Sequence, residues 1–221
     1  KKKVVFGLGS GRCGTASLAY LLNDQKDTFI GHEMPPVLPW DTSDLTGIQF
    51  RWDQMQHQSH LYSVVGDVGI YYLPYVPILI RSHDSIPFIN QNYVLKFVIL
   101  KRDRKEVISS FLEKFKRQNN NPLQTEKAPG MTVDEWDECF PKYDGMSLRD
   151  ALGEFYDDYY KESERLALER PDMVRIFSVD NLNTEEGVLE ILDLDVMWGG
   201  TNHVTGEIPD CIGDLTNLTY L

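Results

Sequence analysis

A glycine-rich loop near the start of the chain has the composition of a phosphate-binding loop. It reads GSGRCGT from Gly9 to Thr15, between an apolar segment typical of a strand and a segment with helical spacing. Glycines let backbone N–H groups point at an anion, and the N-terminus of the following helix adds positive partial charge. The loop therefore predicts a phosphate site. The alternative is a tight strand–helix turn that binds no ligand.

The loop departs from the two common nucleotide-binding patterns. In G-x-x-x-x-G-K-[ST], Gly9 and Gly14 fit, but Thr15 replaces the lysine and Ala16 replaces the Mg²⁺-binding hydroxyl residue. Because ATPases and GTPases use both residues to hold a triphosphate and its metal, these classes are disfavoured. The dinucleotide pattern G-x-G-x-x-G also fits. However, Glu33, the acid near the second predicted strand, stands in the unsuitable context His-Glu-Met-Pro-Pro.

The loop resembles the 5′-phosphosulfate loop of sulfotransferases, whose core reads [KR]-[SCG]-G-T-x-x-L. The residues that match this core position by position are Arg12, Cys13, Gly14, Thr15 and Leu18. The family's second mark is R-[DN]-x-x-x-x-x-x-S after a strand, and Arg102 and Ser110 match it within VILKRDRKEVISSF. The third mark, Y-E-D-L after a late strand, has a degraded counterpart in FSVDNL at 177–182. The resemblance covers about residues 3–196.

The resemblance implies a sulfotransferase whose donor is 3′-phosphoadenosine 5′-phosphosulfate (PAPS). Its fold would be α/β, a three-layer parallel sheet flanked by helices, the P-loop NTPase-like sulfotransferase fold. The implied donor-binding residues are Ser10, Gly11, Arg12, Cys13, Gly14, Thr15, Ala16, Ser17, Arg102 and Ser110. Arg12 would be the catalytic cation at the leaving oxygen, and Arg102 with Ser110 would hold the 3′-phosphate. The implied in-line transfer needs no metal.

The resemblance also implies a general base for the acceptor hydroxyl. Glu33 is the first candidate, since several carbohydrate and tyrosyl-protein sulfotransferases place a catalytic Glu at the corresponding point. His32, which titrates near neutral pH, is the second. A solvated loop carboxylate is the alternative for Glu33. His83 resembles the histidine base of cytosolic sulfotransferases, but its context RSHDSIP favours a structural role. Asp67 is predicted either to line the acceptor pocket or to form a turn.

The expected acceptor is a small molecule or glycan with a hydroxyl group: a carbohydrate, a tyrosyl side chain, or a small alcohol or phenol. Aromatic side chains could form its binding surface or belong to the core. The candidates are Trp40, Trp52, Tyr71, Tyr72 and Trp136.

The composition limits the partners of the chain. Its 221 residues carry a net charge of −12, which disfavours nucleic-acid binding because a polyanion would be repelled. No apolar run approaches the roughly 20 residues of a membrane span.

Three widely spaced cysteines indicate neither a metal site nor a disulfide framework, which favours the cytoplasm. The start without Met predicts a trimmed N-terminus; a trimmed anchor would instead favour the Golgi lumen.

Alternating strand and helix patterns predict a doubly wound parallel sheet. The predicted strands are 3–8, 28–32, 62–65, 93–100 and 173–178, and the predicted helices are 15–23, 103–116, 147–169 and 184–192. Residues 34–60 are predicted to be irregular or loosely helical, and 71–80 to be a connecting segment. Because 119–145 is long for a loop in a compact domain, it is predicted to be a functional lid.

The final segment, 202–221, resembles one plant-type leucine-rich repeat. NHVTGEIPDCIGDLTNLTYL follows N-x-L-x-G-x-I-P-x-x-I-G-x-L-x-N-L-x-x-L, with Val204 at the usual Leu. Since one repeat cannot bury its own apolar face, a longer array or a packed tail is expected, with a possible protein partner. A chance match is the alternative. The predicted domains are a sulfotransferase domain at 1–198 and this tail at 199–221.

Two rival functions remain at this stage. A nucleotide or phosphate kinase would share the loop architecture, but it would need the missing lysine and Mg²⁺ ligand. A leucine-rich-repeat binding protein could instead carry an inactive α/β scaffold. Intact Arg12, Arg102 and Ser110 argue against such decay.

Overall fold

A five-stranded parallel sheet forms the centre of the computed structural model, which describes residues 1–127, 129–132 and 134–192. The strands are β1 (Lys2–Leu8), β2 (Thr28–His32), β3 (Val64–Val68), β4 (Tyr93–Lys101) and β5 (Val174–Ser178). The α-helices in these ranges are α1 (Thr15–Asn23), α2 (Thr46–Gln58), α3 (Val76–Ser85), α4 (Pro87–Asn92), α5 (Arg104–Gln118), α6 (Leu148–Glu169) and α7 (Glu185–Leu192). The strand order is β2-β3-β1-β4-β5, and each neighbouring pair is parallel.

The sheet is covered on both faces because its strands are apolar on both sides. Val4, Phe6 and Leu8 of β1 enter one buried cluster, to which α2, α3, α5 and α6 contribute. Val5 enters the other cluster, with residues of α1 and α7. Such two-sided burial is typical of parallel sheets flanked by helices. The predicted three-layer α/β fold is confirmed.

The strand order creates a crevice where the chain reverses its direction of winding. From β1 the chain passes to β2 and β3 on one side, and it then crosses to β4 on the other side. Ligands of doubly wound sheets bind at the carboxyl ends of strands at such a switch point. The glycine-rich loop follows β1, and Arg102 follows β4, so both candidate motifs lie at this point.

The third predicted strand was placed too early. The prediction of 62–65 followed the apolar residues, whereas β3 spans Val64–Val68 and includes Gly66 and Asp67. Gly66 fits closely against β1, since a Cβ there would lie 1.9 Å from the Val5 carbonyl oxygen. Asp67 is fully buried and has polar partners. Both residues interrupt the apolar pattern for reasons that depend on the fold.

Two helices lie in segments predicted to be irregular or loosely helical (34–60) and connecting (71–80). Thr46–Gln58 forms α2 although the segment is rich in Gln and His. Val76–Ser85 forms α3, preceded by a 3₁₀ helix at Ile70–Tyr75. Pro77 lies in the first turn of α3, where the missing N–H costs no helical hydrogen bond.

The described residues of the segment predicted to be a functional lid are joined by polar contacts. Asp137, in a 3₁₀ helix at Glu135–Cys139, accepts a hydrogen bond from Asn120 at 2.8 Å and pairs with Lys127 at 3.0 Å. Lys142 donates to the Pro122 carbonyl oxygen at 2.7 Å. These polar contacts join the two ends of the segment, which we call the 119–145 wall.

Two further expectations concern the tail and membrane insertion. The leucine-rich-like tail at 199–221, and with it the domain boundary, lies outside the described residues. Within the described ranges, no helix combines the length and the apolar character needed to cross a bilayer.

Candidate active site

A cavity of about 790 Å³ opens where β1 and β4 end. This volume lies within the range of small-molecule sites, roughly 300–1,000 Å³. The polar and charged residues that line it include Arg12, Thr15, Ser17, His32, Glu33, Arg102, Glu106, Lys114, Asn120 and Asp134. The fold therefore brings the loop, the end of β2, α5 and the 119–145 wall to one cavity.

The glycine-rich loop turns sharply through left-handed backbone conformations. Gly11 and Gly14 have φ of 86° and 87°, and Arg12 between them has φ of 55°. Glycine adopts this region freely, whereas an L residue loses about 1–2 kcal/mol there. Non-glycine residues held in this region cluster at functional sites. The left-handed conformation at Arg12 completes the turn between Gly11 and Gly14.

The start of α1 is suited to an anion. Gly14 is the N-cap of α1, and within the described structure its first turn has neither a capping side chain nor an acidic residue. The first N–H groups of a helix have no partner inside the helix. Thr15, Ala16 and Ser17, which carry these groups, line the cavity. The positive end of α1 thus faces the space where a phosphate would lie.

Two tyrosines of α6 hold the glycine-rich loop in place by hydrogen bonds. The Tyr159 hydroxyl accepts a hydrogen bond from the Gly9 N–H at 3.1 Å. The Tyr160 hydroxyl donates to the Leu100 carbonyl oxygen at 2.7 Å and accepts from the Ser10 N–H at 3.4 Å. Both tyrosines are buried. They tie the loop to the end of β4 and to α6.

Ser10 and Cys13 of the loop, both predicted to bind the donor, have buried side chains. Each side chain has no exposed surface. A Cβ on Gly9 would lie 2.2 Å from the Cys13 sulfur, so Cys13 occupies space that only glycine leaves open. Burial raises the pKa of the Cys13 thiol to about 11, and the thiol is therefore protonated near neutral pH. The position of both side chains indicates that they pack the loop.

Arg12 connects the two motifs that the sequence keeps apart. Its Nε donates a hydrogen bond to the Ser110 hydroxyl at 2.8 Å. Arg102 donates from Nη1 to the Arg12 carbonyl oxygen at 3.2 Å and from Nε to Glu106 at 2.7 Å. The sequence assigned Arg12 and Ser110 to different phosphates, whereas the structure places them in direct contact.

The cations around Arg12 repel one another. Burial lowers the pKa of Arg12, and the neighbouring charges of Arg117 and Arg102 lower it further. Lys114 is also close enough to interact with Arg12. We call these four residues the cationic cluster. A bound anion would reduce this repulsion, although Glu106 already pairs with Arg102 and Glu113 acts on Arg12.

Glu33 is held at the end of β2 in a left-handed conformation. Its φ is 51°, and its N–H donates to the Val68 carbonyl oxygen at 2.8 Å. Burial raises the pKa of its carboxyl group; Lys114 opposes this effect, and Asp67 adds to it. A carboxylate whose pKa is raised toward neutrality is a better proton acceptor. This environment suits a general base.

His32 lies beside the loop. Its Nε2 is 3.4 Å from the Thr15 hydroxyl. Burial lowers the pKa of the imidazole, which favours its neutral form near pH 7. His32 therefore meets a chemical requirement of a proton acceptor, as Glu33 does.

A buried polar cluster beneath Glu33 was not foreseen from the sequence. Asp67 accepts hydrogen bonds from the Tyr72 hydroxyl at 2.5 Å and from the Met34 N–H at 3.4 Å. Arg51, also fully buried, donates to the Met34 carbonyl oxygen. The expectation that Asp67 lines the acceptor pocket or forms a turn was therefore wrong. The sequence signal for this cluster was the charged residue Asp67 within an apolar strand, because a buried carboxylate needs partners.

The remaining candidates divide between the cavity and the core. His83 is buried in α3, with Nδ1 3.2 Å from Asp84, which agrees with a structural role. Of the five aromatic candidates for an acceptor surface, Trp136 lines the cavity. Trp40 packs on Phe155 with ring centres 5.8 Å apart. Among the described residues, no group of three or more His, Cys, Asp or Glu side chains is placed to share a metal ion.

Comparison with known proteins finds similarity in structure and none in sequence. No protein-family model matches the chain, and no curated protein matches it. A solved sulfotransferase domain from the curacin biosynthetic pathway is similar, with a TM-score of 0.50 and 14% identity, over 92% of this chain and 76% of that one. Shikimate kinase from Bacteroides thetaiotaomicron matches with a TM-score of 0.40 and 12% identity, over 89% and 98%. The first likeness shows that the chain shares the fold of that sulfotransferase domain.

Replacing Glu33 by Gln should stabilise the protein near neutral pH. Because the folded-state pKa of Glu33 is raised, the folded protein holds this proton more tightly than the unfolded chain does. Its stability therefore falls as pH rises from the unfolded pKa through the folded pKa, and it stays lower above that window. The neutral amide removes this loss. We expect the free energy of unfolding at pH 7 to rise, by about 1.4 kcal/mol for each pH unit that separates the folded from the unfolded pKa.

Urea unfolding at pH 7 and at pH 4 measures this effect. Glu126→Gln, at an exposed position, is the matched control and should leave the stability nearly unchanged. A loss of stability in Glu33→Gln at pH 7 would show that the ionised carboxylate stabilises the fold.

Proposed function

We propose that the protein is a sulfotransferase that uses PAPS as the donor and transfers its sulfuryl group to a hydroxyl acceptor. The observation that carries the proposal is the hydrogen bond from Arg12 to Ser110, next to Arg102, at a cavity that Arg12 and Arg102 line. These residues come from the two motifs that resemble the phosphate sites of the family. A nucleotide with phosphates at both the 5′ and 3′ positions would contact both motifs.

The donor would be held by two kinds of group. N–H groups at the start of α1 and the Arg12 guanidinium would bind the 5′-phosphate, and Arg102 with Ser110 would bind the 3′-phosphate. Arginine is suited to this task because its guanidinium binds phosphate through paired hydrogen bonds. Glu106, which accepts from Arg102, would compete with a phosphate there. We expect donor binding to loosen that ion pair.

The loop would promote the reaction by stabilising negative charge. Bound there, PAPS would supply an activated sulfuryl group. As the acceptor oxygen bonds to sulfur, the bond from sulfur to the 5′-phosphate breaks and negative charge gathers on the phosphate side. Arg12 and the α1 N–H groups are fixed before the reaction, so they can stabilise this charge without reorganising. Arginine stays protonated and is a poor proton donor, which limits Arg12 to this role.

The acceptor proton would pass to Glu33. Its carboxylate lines the same cavity as Arg12, on a strand end with a fixed backbone, and its raised pKa favours proton uptake. His32 is the second candidate, since its lowered pKa keeps the imidazole neutral. The donor and the base would thus occupy adjoining parts of one cavity.

The acceptor would lie against aromatic side chains. Phe111, Phe115, Trp136 and Phe140 line the cavity from α5 and from the 119–145 wall. We call the part of the cavity formed by these rings, Glu33 and Lys114 the acceptor side. Aromatic faces pack well on the apolar surfaces of sugars and phenols. This composition supports a carbohydrate, tyrosyl, phenol or small alcohol acceptor.

Ligand selectivity should distinguish this function from a kinase. We expect 3′-phosphoadenosine 5′-phosphate (PAP), the desulfated donor, to stabilise the protein by about 2.7 kcal/mol at a hundredfold excess over its Kd. For a chain of this length that corresponds to a rise in Tm of roughly 5–10 °C. Thermal unfolding with PAP, with ATP–Mg²⁺ and without ligand makes the comparison. Stabilisation by ATP–Mg²⁺ alone would contradict the proposal, and stabilisation by neither ligand would favour an inactive scaffold.

Loss of Arg102 should weaken PAP binding selectively. Arg102→Ala removes a charged hydrogen-bonding partner, which should cost about 2–3 kcal/mol of binding free energy. Arg104→Ala is the matched control, because Arg104 lies two positions later and pairs with Asp157 on the surface. Isothermal titration calorimetry of PAP with both variants gives the two values. Equal effects would indicate that general positive charge, and not a specific contact of Arg102, attracts the nucleotide.

A further inference from the structure

Lys114 lines the acceptor side of the cavity but belongs to none of the sequence motifs. It follows Ser110 by one turn of α5, so the two side chains share one face of the helix. Ser110 contacts Arg12 of the loop, and Lys114 lines the cavity together with Glu33. One face of α5 therefore contacts the glycine-rich loop through Ser110 and lines the cavity of Glu33 through Lys114.

The surroundings of Lys114 make its charge effective. Phe111 and Phe115 of the same helix line the same cavity and give it apolar surface. Charges interact more strongly where water is partly excluded. Burial lowers the pKa of Lys114, and Arg12 lowers it further, whereas Glu33 and Asp134 raise it. The two carboxylates thus favour the charged lysine in this setting.

Glu33 has several titratable neighbours. Lys114 on α5 lowers its pKa, and Asp67 on β3 raises it. Glu33 also interacts with Tyr71, which follows β3, and with Cys139 of the 119–145 wall. Burial raises the pKa of Tyr71 above its usual value and that of Cys139 to about 12, so both are neutral near pH 7. Lys114 is therefore the neighbour that favours the ionised form of Glu33.

We infer that Lys114 is a positioning residue that keeps Glu33 ionised on the acceptor side of the cavity, ready to take the acceptor proton. The inference rests on the proposed function, because the role of Glu33 as base belongs to it. Lys114 acts through Glu33 and need not touch the reacting atoms. Lys114 also interacts electrostatically with Arg12 of the glycine-rich loop.

The pH dependence of transfer follows from this role. Without Lys114, burial and Asp67 would act on Glu33 with no opposing cation, and the pKa of Glu33 would rise further. A base is inactive below its pKa, so the acid limb of the kcat profile would move to higher pH. A residue that only supports the fold would lower the rate without moving this limb.

The first measurement is the pH profile of kcat between pH 5 and pH 9 for three variants. In Lys114→Met, the ratio of kcat at pH 8 to kcat at pH 6 should increase severalfold. Lys114→Arg keeps the positive charge and should restore the ratio. Lys116→Met, at an exposed position of the same helix, is the control and should match the wild type. An unchanged ratio in folded Lys114→Met would overturn the inference.

The second measurement needs neither donor nor acceptor. Titration of the Glu33 carboxyl carbon by ¹³C NMR, assigned with Glu33→Gln, should show a higher pKa in Lys114→Met than in the wild type. No difference would overturn the role of Lys114, whatever the activity. A difference without sulfuryl transfer to any acceptor would leave the pairing of Lys114 with Glu33 intact and overturn the proposed function. If Lys114→Met fails to fold, Lys114→Gln replaces it in both measurements.

Discussion

The hydrogen bond from Arg12 to Ser110 joins two segments that are 98 positions apart in the chain, and the site depends on it. It exists because β1 and β4 are neighbours at the switch point of the sheet, so the loop after one strand meets the helix after the other. Because the loop after β1 lies next to α5, the fold also brings together Arg12, Arg102, Lys114 and Arg117. Like charges at close range repel one another, and Glu106, which pairs with Arg102, offsets part of this repulsion.

The site is maintained at a cost in stability. Arg12 and Glu33 both adopt left-handed backbone conformations, and each loses about 1–2 kcal/mol by doing so. Glu33 also carries a partly buried carboxylate whose pKa is raised by that burial. The buried contacts of Asp67 and Arg51 oppose these losses by fixing the turn after β2. Function and stability are therefore opposed at the positions that we assign to chemistry.

The sequence predicted the parts of the structure that depend on local pattern. Four strands and the α/β architecture followed from apolar runs, and the glycine pattern with Arg12 located the loop. The prediction of the third strand failed at Gly66 and Asp67. Close strand packing and a buried polar cluster are properties of the assembled fold. Arg51 and Lys114 were missed for the same reason, since their partners are distant in sequence. The direct contact between Arg12 and Ser110 likewise depends on the three-dimensional arrangement.

Sulfuryl transfer from PAPS is the central claim, and labelled donor tests it most directly. Wild-type protein would be incubated with radiolabelled PAPS and a panel of sugar, phenol and peptide acceptors, and the labelled products would be separated by chromatography. We expect label on at least one acceptor class, with matching release of PAP, and much less label from Glu33→Gln that still binds PAP. Phosphorylation of the same acceptors by ATP–Mg²⁺, with no label transferred from PAPS, would contradict the claim.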